Sequence, residues 1–226
     1  MLDINNNLRY IDPDINHFDL NLINFETHSI NTFICNHEQM PKSLKLIHHN
    51  ARSIMKIERL DEYNLYLESL KCKFDILIFT ETWLTQDKMD HCHFDGYQPI
   101  HLIRPIDNHI DFKERGGGIS FFIKDNLRYK HRTDLTTMLP FIECSFIEIS
   151  HNNQNYLIGG MYRIPNTCNN LFIEQFNNII EPIKHSHKII LLGDYNIDFL
   201  KDDNIKNNFV ICLQSNYLVP TILSPT

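Results

Sequence analysis

The sequence has 226 residues and a formal net charge of −7 at pH 7, which argues against a protein that coats nucleic acid through bulk electrostatics but leaves room for an enzyme that grips nucleic acid locally. A hydrophobic share of 42% and a charged share of 22% are ordinary for a globular protein, and the length predicts one domain, or one domain with an appendage. No segment has the uninterrupted apolar length of a membrane span, so we expect no membrane partner.

The first 42 residues differ in composition from the rest of the chain. They are rich in Asn, Asp and His and show no sustained hydrophobic period. This composition predicts a poorly ordered leader or linker over residues 1–42, with a short strand near residues 32–35. From residue 43 onward the pattern becomes regular, and residues 43–226 are predicted to form the folded domain.

The first half of this domain alternates short apolar runs with one helical pattern. The run 44–49 predicts a strand that ends at Asn50, and apolar residues at helical spacing predict a helix over residues 55–70. The run 75–80 predicts a buried strand that ends at Glu81. A further strand is predicted over residues 117–123, and the three consecutive glycines at 116–118 form its flexible beginning.

The second half predicts a hairpin, two helices and one more buried strand. Residues 141–150 and 155–162 flank a polar turn and form the hairpin, and a helix follows with Asn169 or Asn170 as its cap. The strand 188–193 ends at Asp194, and a last helix over 203–214 starts near Asp202 or Asp203. Strands outnumber helices, so the fold class is α+β, a sandwich with helices outside packed sheets.

Polar side chains stand where three predicted buried strands end, at Asn50, Glu81 and Asp194, and Asn196 follows Asp194 by two residues. Active sites of layered α/β proteins are commonly built at such strand ends. Mg²⁺ takes one or two carboxylates, keeps several waters and completes its shell with substrate phosphates, so these residues suit it. The alternatives are a helix N-terminal carboxylate at Glu81 and an ordinary Asx turn at Asp194.

Basic and phenolic groups offer possible phosphate contacts. Tyr162 and Arg163 close a predicted strand, and the paired donors of a guanidinium suit a phosphate; the alternative is a strand end with an exposed Arg. A second basic stretch is equally compatible with a solvated surface loop. It comprises Lys124, Arg128, Lys130, His131 and Arg132.

Five motifs in one order carry a family resemblance. They are Asn50-Ala51-Arg52-Ser53, Thr80-Glu81-Thr82-Trp83-Leu84, Arg115-Gly116-Gly117-Gly118-Ile119, Tyr162-Arg163-Ile164-Pro165-Asn166 and Gly193-Asp194-Tyr195-Asn196. Over about residues 44–226 the chain resembles the endonuclease/exonuclease/phosphatase superfamily and, more closely, the apurinic-type endonuclease domain of non-long-terminal-repeat retrotransposons. Any one of these motifs would be a weak signal, whereas five in register are a strong one.

The resemblance implies a four-layer α/β sandwich of the DNase I-like type, dependence on Mg²⁺ (or Mn²⁺) and hydrolysis of a phosphodiester in a DNA substrate. Asn50 and Glu81 would hold the metal, and Tyr162, with Arg163, would contact the scissile phosphate. Asp194 would orient or deprotonate the attacking water. Asn196 would fix Asp194 and the phosphate.

The chain departs from the family pattern at its C-terminal end. Family members continue to a late Asp and a terminal Ser-Asp-His, but no Asp or His follows Asp203 here. We therefore expect a sandwich that is incomplete at the C-terminus and an impaired nuclease of retroelement origin. The alternatives are a superfamily nuclease or phosphatase acting on another substrate and a non-catalytic remnant or binding module. The sequence leaves catalytic activity and oligomeric state open.

The cysteines bear on compartment and on metal binding. All six are scattered, with no C-x-x-C pair, and the N-terminus lacks the features of a signal peptide. This pattern predicts reduced thiols in an intracellular protein, nuclear or cytoplasmic. The segment 91–93 reads His-Cys-His, but adjacent residues rarely converge on one ion, so we expect no metal there.

Overall fold

The computed structural model describes residues 43–55, 57–104 and 116–221. The predicted leader over residues 1–42, with its short strand, lies outside the described residues. Within them the elements are β1 (Leu46–Asn50), α1 (Ile57–Ser69), β2 (Ile76–Thr80), β3 (Tyr97–Leu102), β4 (Ile119–Lys124), β5 (Tyr129–His131), β6 (Thr137–Met138), β7 (Ile142–His151), β8 (Gln154–Arg163), α2 (Asn169–Ile180), β9 (Lys188–Asp194) and α3 (Asn204–Ser215), with a 3₁₀ turn at Met89–His91.

The strands form two mixed sheets. The first sheet has the order β1-β2-β4-β3, in which β1 and β2 are parallel and the other neighbours are antiparallel. The second has the order β5-β7-β8-β9, with β6 also paired to β7; β8 and β9 are its parallel pair. Each sheet therefore places the carboxyl ends of two parallel strands side by side.

Three apolar clusters separate four layers. Between the sheets, side chains such as Ile78 and Phe121 of the first sheet pack against Ile147 and Ile158 of the second. A second cluster buries α1 against the outer face of the first sheet, and a third buries α2 and α3 against the outer face of the second sheet. The order helix, sheet, sheet, helix confirms the predicted α+β sandwich of the DNase I-like type.

Three strands, β3, β5 and β6, were absent from the sequence prediction, and β5 and β6 are only three and two residues long. β3 contains Pro99, which cannot donate a backbone hydrogen bond and is normally confined to edge strands. β3 is indeed an edge strand, since it pairs only with β4 in the first sheet of the described residues. A proline in the middle of the run therefore concealed a strand whose other edge faces no neighbour within the described part of the chain.

The two helix caps had different outcomes. Asp203 caps α3, because its side chain accepts a hydrogen bond from the backbone nitrogen of Lys206 at 2.9 Å. The predicted cap of α2 was wrong: the helix begins at Asn169, and its N-cap Cys168 makes no side-chain capping bond. The Asn169 carboxamide instead accepts a hydrogen bond from Arg163 at 2.6 Å. Among the described residues no helix is long and apolar enough to cross a membrane.

Candidate active site

The carboxyl ends of the two parallel strand pairs meet at one edge of the sandwich. In the first sheet Asn50 lies beside Thr80, and Glu81 follows directly; in the second sheet Tyr162 lies beside Asp194. The side chain of Asn50 joins the sheets, because its Nδ2 donates to Glu81 Oε1 at 2.8 Å and to Asp194 Oδ2 at 2.6 Å. The structure thus brings together the three strand-end residues that the sequence singled out.

Two carboxylates from different sheets therefore converge on a single nitrogen atom. Like charges at this spacing repel unless something positive lies between them, and here the polarised N–H bonds of Asn50 fill that place. The same carboxamide has an oxygen, Oδ1, which accepts from the backbone nitrogen of Arg52 at 3.2 Å. The two carboxylates suit a hard cation such as Mg²⁺, and the amide oxygen of Asn50 would join them as a ligand only after the carboxamide turned over, because its nitrogen faces both carboxylates.

The number of acidic groups at this edge is small. Within the described part of the chain no group of three or more His, Cys, Asp or Glu side chains is placed to hold a metal. The His-Cys-His segment is no exception, since Cys92 is buried while His91 and His93 are exposed. Two carboxylates at the strand ends are still sufficient for Mg²⁺, because the ion retains waters and takes oxygens from phosphates.

Tyr162 is a buried phenol next to Glu81. Its side chain is almost fully enclosed, and it hydrogen-bonds to the Glu81 carboxylate. Burial raises the pKa of Tyr162 well above its usual range, and the negative charge of Glu81 raises it further. The phenol therefore keeps its proton at neutral pH and acts as a hydrogen-bond donor.

Asp194 and Asn196 form the Asx turn that was the alternative interpretation of their spacing. The backbone nitrogen of Asn196 donates to Asp194 Oδ1 at 2.9 Å, and Asn196 Nδ2 donates to the carbonyl oxygen of Arg163 at 2.7 Å. Each oxygen of Asp194 thus has one partner, the turn on one side and Asn50 on the other. The turn and the candidate site are the same structure, so one interpretation does not exclude the other.

Arg163 points into the protein. Its residue is 4% exposed, its Nη1 donates to the carbonyl oxygen of Asn196 at 3.3 Å, and its Nη2 donates to Thr167 O at 3.2 Å and Asn169 Oδ1 at 2.6 Å. The guanidinium also lies 4.9 Å from the ring centroid of Phe172. The alternative of an exposed strand-end Arg is therefore wrong, and both terminal nitrogens have protein partners.

Left-handed backbone conformations concentrate at the same edge. Glu81, Trp83 and Asn196 have φ angles of 53°, 55° and 48°, in the left-handed region that residues other than glycine rarely adopt. Such conformations persist where the surroundings hold them, and they cluster at functional sites. Their presence at the strand ends is consistent with a site built by tight turns.

Sequence analysis missed two polar features beside the site. His48 Nε2 lies 3.0 Å from Thr80 Oγ1. Burial lowers the pKa of His48 to about 4, although the negative charge of Asp194 acts to raise it. Glu143 is a fully buried carboxylate on β7, opposite Tyr162. A signal for Glu143 existed, since it is one acidic residue in the otherwise apolar start of that strand.

The basic stretch lies away from the site. β5 pairs with β7 at residues 147–149, so Tyr129 is opposite Ile149, six positions from Glu143, or about 20 Å at ~3.4 Å per residue. Arg132 is engaged with Asp134 at 2.7 Å and Glu148 at 3.3 Å. These positions favour the interpretation of the stretch as a surface feature over direct contact with the scissile phosphate.

No protein-family model matches the chain, and no curated protein matches it. Solved structures do match. One is the endonuclease domain of TRAS1, a telomere-specific non-LTR retrotransposon, with a TM-score of 0.54 and 15% identity over 77% of this chain and 71% of that one. Another is the AP endonuclease LMAP from Leishmania major, with a TM-score of 0.56 and 14% identity over 76% and 66% of the two chains. A third, D. rerio TDP2 complexed with single strand DNA product, has a TM-score of 0.50 and 12% identity over 78% and 66%.

Identities this low establish the fold and nothing finer. The two endonuclease structures have the same kind of layered sandwich, and the motifs of this chain occupy its strand ends. The chain therefore has the fold of these two endonuclease structures, which is the fold that its motifs implied.

Proposed function

We propose that this chain is a Mg²⁺- or Mn²⁺-dependent phosphodiester hydrolase of retroelement origin that nicks DNA. The observation that carries the proposal is the convergence of Glu81 and Asp194, from separate sheets, on the carboxamide of Asn50. The ordered motifs and the fold that the chain shares with the TRAS1 endonuclease domain support the retroelement branch.

Each residue of the site has a role in this proposal. Glu81 would hold the metal together with Asn50, whose carboxamide would turn its oxygen toward the ion in place of the nitrogen that now faces Glu81. The metal, when bound, would neutralise charge that develops on the phosphate oxygens. Asp194 orients or deprotonates the attacking water, and the backbone nitrogen of Asn196 holds one of its oxygens in place. The protonated phenol of Tyr162 would donate its hydrogen bond to the scissile phosphate in exchange for its present bond to Glu81.

The role of Arg163 follows from its burial. Its terminal nitrogens hold the Asn196 loop and the start of α2, so we assign it to positioning Asn196 for the phosphate. The phosphate contact predicted from sequence would require these bonds to be exchanged for bonds to substrate. Arg163 therefore contributes to phosphate binding through Asn196.

A second candidate function is a non-catalytic module that binds metal or nucleic acid. It is favoured by the engagement of the site residues with the protein itself: both oxygens of Asp194 have partners, and the guanidinium of Arg163 is turned inward. A superfamily nuclease or phosphatase that acts on another substrate is a third candidate.

Metal-dependent melting tests the site first. At a metal concentration about 100 times the Kd, binding to the folded state stabilises it by about 2.7 kcal/mol, or roughly 5–10 °C in melting temperature for a domain of this size. Glu81→Gln should abolish most of this shift, because it removes a charged ligand and keeps the shape. Glu148→Gln, a carboxylate on β7 away from the site, is the matched control and should keep the shift.

Nicking of supercoiled plasmid tests the reaction. We expect very weak or no nicking by the 226-residue chain with Mg²⁺, and recovery in a version extended by an Asp strand and a terminal Ser-Asp-His. Asp194→Asn in the extended version should lose nicking again. Robust nicking by the short chain that Asp194→Asn abolishes would support the nuclease and contradict the impairment. Absence of both metal stabilisation and nicking in the extended version would reject the proposed hydrolase.

A further inference from the structure

Glu143 is a buried charge that none of the five motifs contains. It lies on β7 directly opposite Tyr162 on β8, and its residue is 0% exposed. A carboxylate removed from water is costly unless all its oxygens have partners. The partners of Glu143 therefore indicate what the residue is retained to hold.

Both oxygens of Glu143 have hydrogen-bond partners, one a guanidinium and the other the backbone of a glycine turn. Oε1 accepts hydrogen bonds from the guanidinium of Arg104, from Nε at 2.7 Å and also from Nη2. Oε2 accepts from the backbone nitrogen of Gly118 at 2.7 Å. The carboxylate thus joins Arg104, two residues after the end of β3, to the glycine turn that precedes β4.

The glycine turn is shaped around this ion pair. Gly117 has a φ of +72°, and a Cβ at this position would collide with both the Arg104 guanidinium and the Glu143 carboxylate. A Cβ on Gly118 would lie 2.6 Å from Thr82 Oγ1. Two consecutive glycines are therefore required by close approach as well as by backbone conformation.

The same turn holds the segment that carries Glu81. The carbonyl oxygen of Gly117 accepts from the backbone nitrogen of Trp83 at 3.0 Å, and that of Gly118 accepts from Thr82 at 3.3 Å. Glu81 and Trp83 are both left-handed, so their conformation depends on these external bonds. A continuous set of contacts leads from the Glu143 carboxylate, through the glycine turn, to the backbone beside Glu81.

We infer that Glu143 is a positioning residue for the candidate site: paired with Arg104, it fixes the Gly117–Gly118 turn and thereby the place of Glu81. A second contribution comes from its position opposite Tyr162, the phenol that hydrogen-bonds to Glu81. The inference rests on the proposed function for its catalytic meaning, but its structural part can be tested in the absence of metal.

The single tryptophan of the chain, Trp83, reports on this segment. The test compares the emission spectrum and acrylamide quenching of Trp83 in the wild type, Glu143→Gln and the control Glu148→Gln, together with Mn²⁺ titrations followed by fluorescence and by thermal melting. Glu143→Gln should shift the emission and increase the quenching of Trp83 without metal. It should also weaken Mn²⁺ binding about 10-fold or more, the usual effect of losing a residue that orients a metal ligand.

Glu148→Gln should leave both readouts at the wild-type values, because it breaks an ion pair on the same strand away from the turn. If Glu143→Gln does not melt cooperatively, Arg104→Lys replaces it as the variant that disrupts the ion pair. The Arg104 side chain is 11% exposed and that of Glu143 is 0% exposed, so the change at Arg104 disturbs the core less. Glu143→Asp, which keeps the charge with a shorter reach, should recover part of the Mn²⁺ affinity.

The outcomes separate this inference from the proposed function. The inference would be overturned if Glu143→Gln, or Arg104→Lys where it replaces that variant, kept the Trp83 emission and the Mn²⁺ affinity of the wild type. A loss of Mn²⁺ binding in Glu81→Gln would still support the metal site in that case. If the wild type does not bind Mn²⁺, the proposed function fails. In that case a shift of Trp83 emission in Glu143→Gln, with none in Glu148→Gln, still supports the positioning of the Glu81 segment.

Discussion

Replacing Arg163 by Met separates a positioning role from a direct phosphate contact. The guanidinium donates to two backbone carbonyls, of Asn196 and Thr167, and to the carboxamide of Asn169, and it lies over the ring of Phe172. Methionine fills much of the same volume but cannot donate, so these three acceptors lose their partner. The loop after β9 and the start of α2 are then no longer joined.

The expected cost follows from these contacts. A hydrogen bond to a charged group contributes about 1.5–3 kcal/mol, and a guanidinium over an aromatic ring adds about 1 kcal/mol. The contributions are not additive, and the two carbonyls lie near the surface, where water can replace part of the loss. We expect Arg163→Met to lower the free energy of unfolding by about 3 kcal/mol, which corresponds to a melting temperature lower by about 6–12 °C.

Urea denaturation followed by circular dichroism measures this loss. Arg163→Lys keeps the charge but cannot reach three acceptors at once, so it should lose an intermediate amount. Arg128→Met changes an arginine of the basic stretch that lies away from the site and should change stability by less than about 0.5 kcal/mol. A loss below about 1 kcal/mol in Arg163→Met, combined with weaker binding of a DNA substrate, would refute the positioning role and favour a direct phosphate contact.

Two further predictions concern the scaffold. Asp203→Ala removes the cap of α3 and leaves the backbone nitrogen of Lys206 unpaired, which should cost about 1 kcal/mol; a melting temperature equal to that of the wild type would show that the cap contributes nothing. Burial lowers the pKa of His101 from its ordinary value of 6.5, so the unfolded chain binds the proton more readily than the folded chain. The free energy of unfolding is therefore unaffected by the titration of His101 above about pH 6.5, and it declines as the pH falls below that value. His101→Leu should reduce this decline in urea midpoints measured from about pH 7 to about pH 5, and an unchanged pH dependence would contradict the assignment.

The strands and helices that were predicted from sequence share one property: each can be identified from the hydrophobic pattern of its own residues, without knowledge of its neighbours in the fold. β2 and β9 are short apolar runs that end in a polar residue, and α1 keeps helical spacing, so the hydrophobic pattern alone was enough to identify the strand ends at Glu81 and Asp194. β3 fails this criterion because Pro99 interrupts its pattern. An edge strand tolerates that residue, but only the sheet order reveals that β3 is at an edge.

The contacts that define the site could not be derived from spacing. Asn50 and Asp194 are 144 residues apart in sequence, and their meeting depends on how two separate sheets are stacked. The ordered motifs supplied this relation through a family resemblance, since no local pattern encodes it. The inward direction of Arg163 was missed for a similar reason, because its partners include Asn196, 33 residues further along the chain.

The stacking of the sheets sets the distance between the two carboxylates. Gly160 on β8 faces the first sheet, and a Cβ there would lie 3.0 Å from methyl carbons of both Ile78 and Ile119, closer than side chains normally pack. Gly160 is two residues before Tyr162, the strand position beside Asp194. The close approach of the sheets here allows Asp194 to reach Asn50. A larger residue at position 160 would push the two sheets apart and so increase the distance between Glu81 and Asp194.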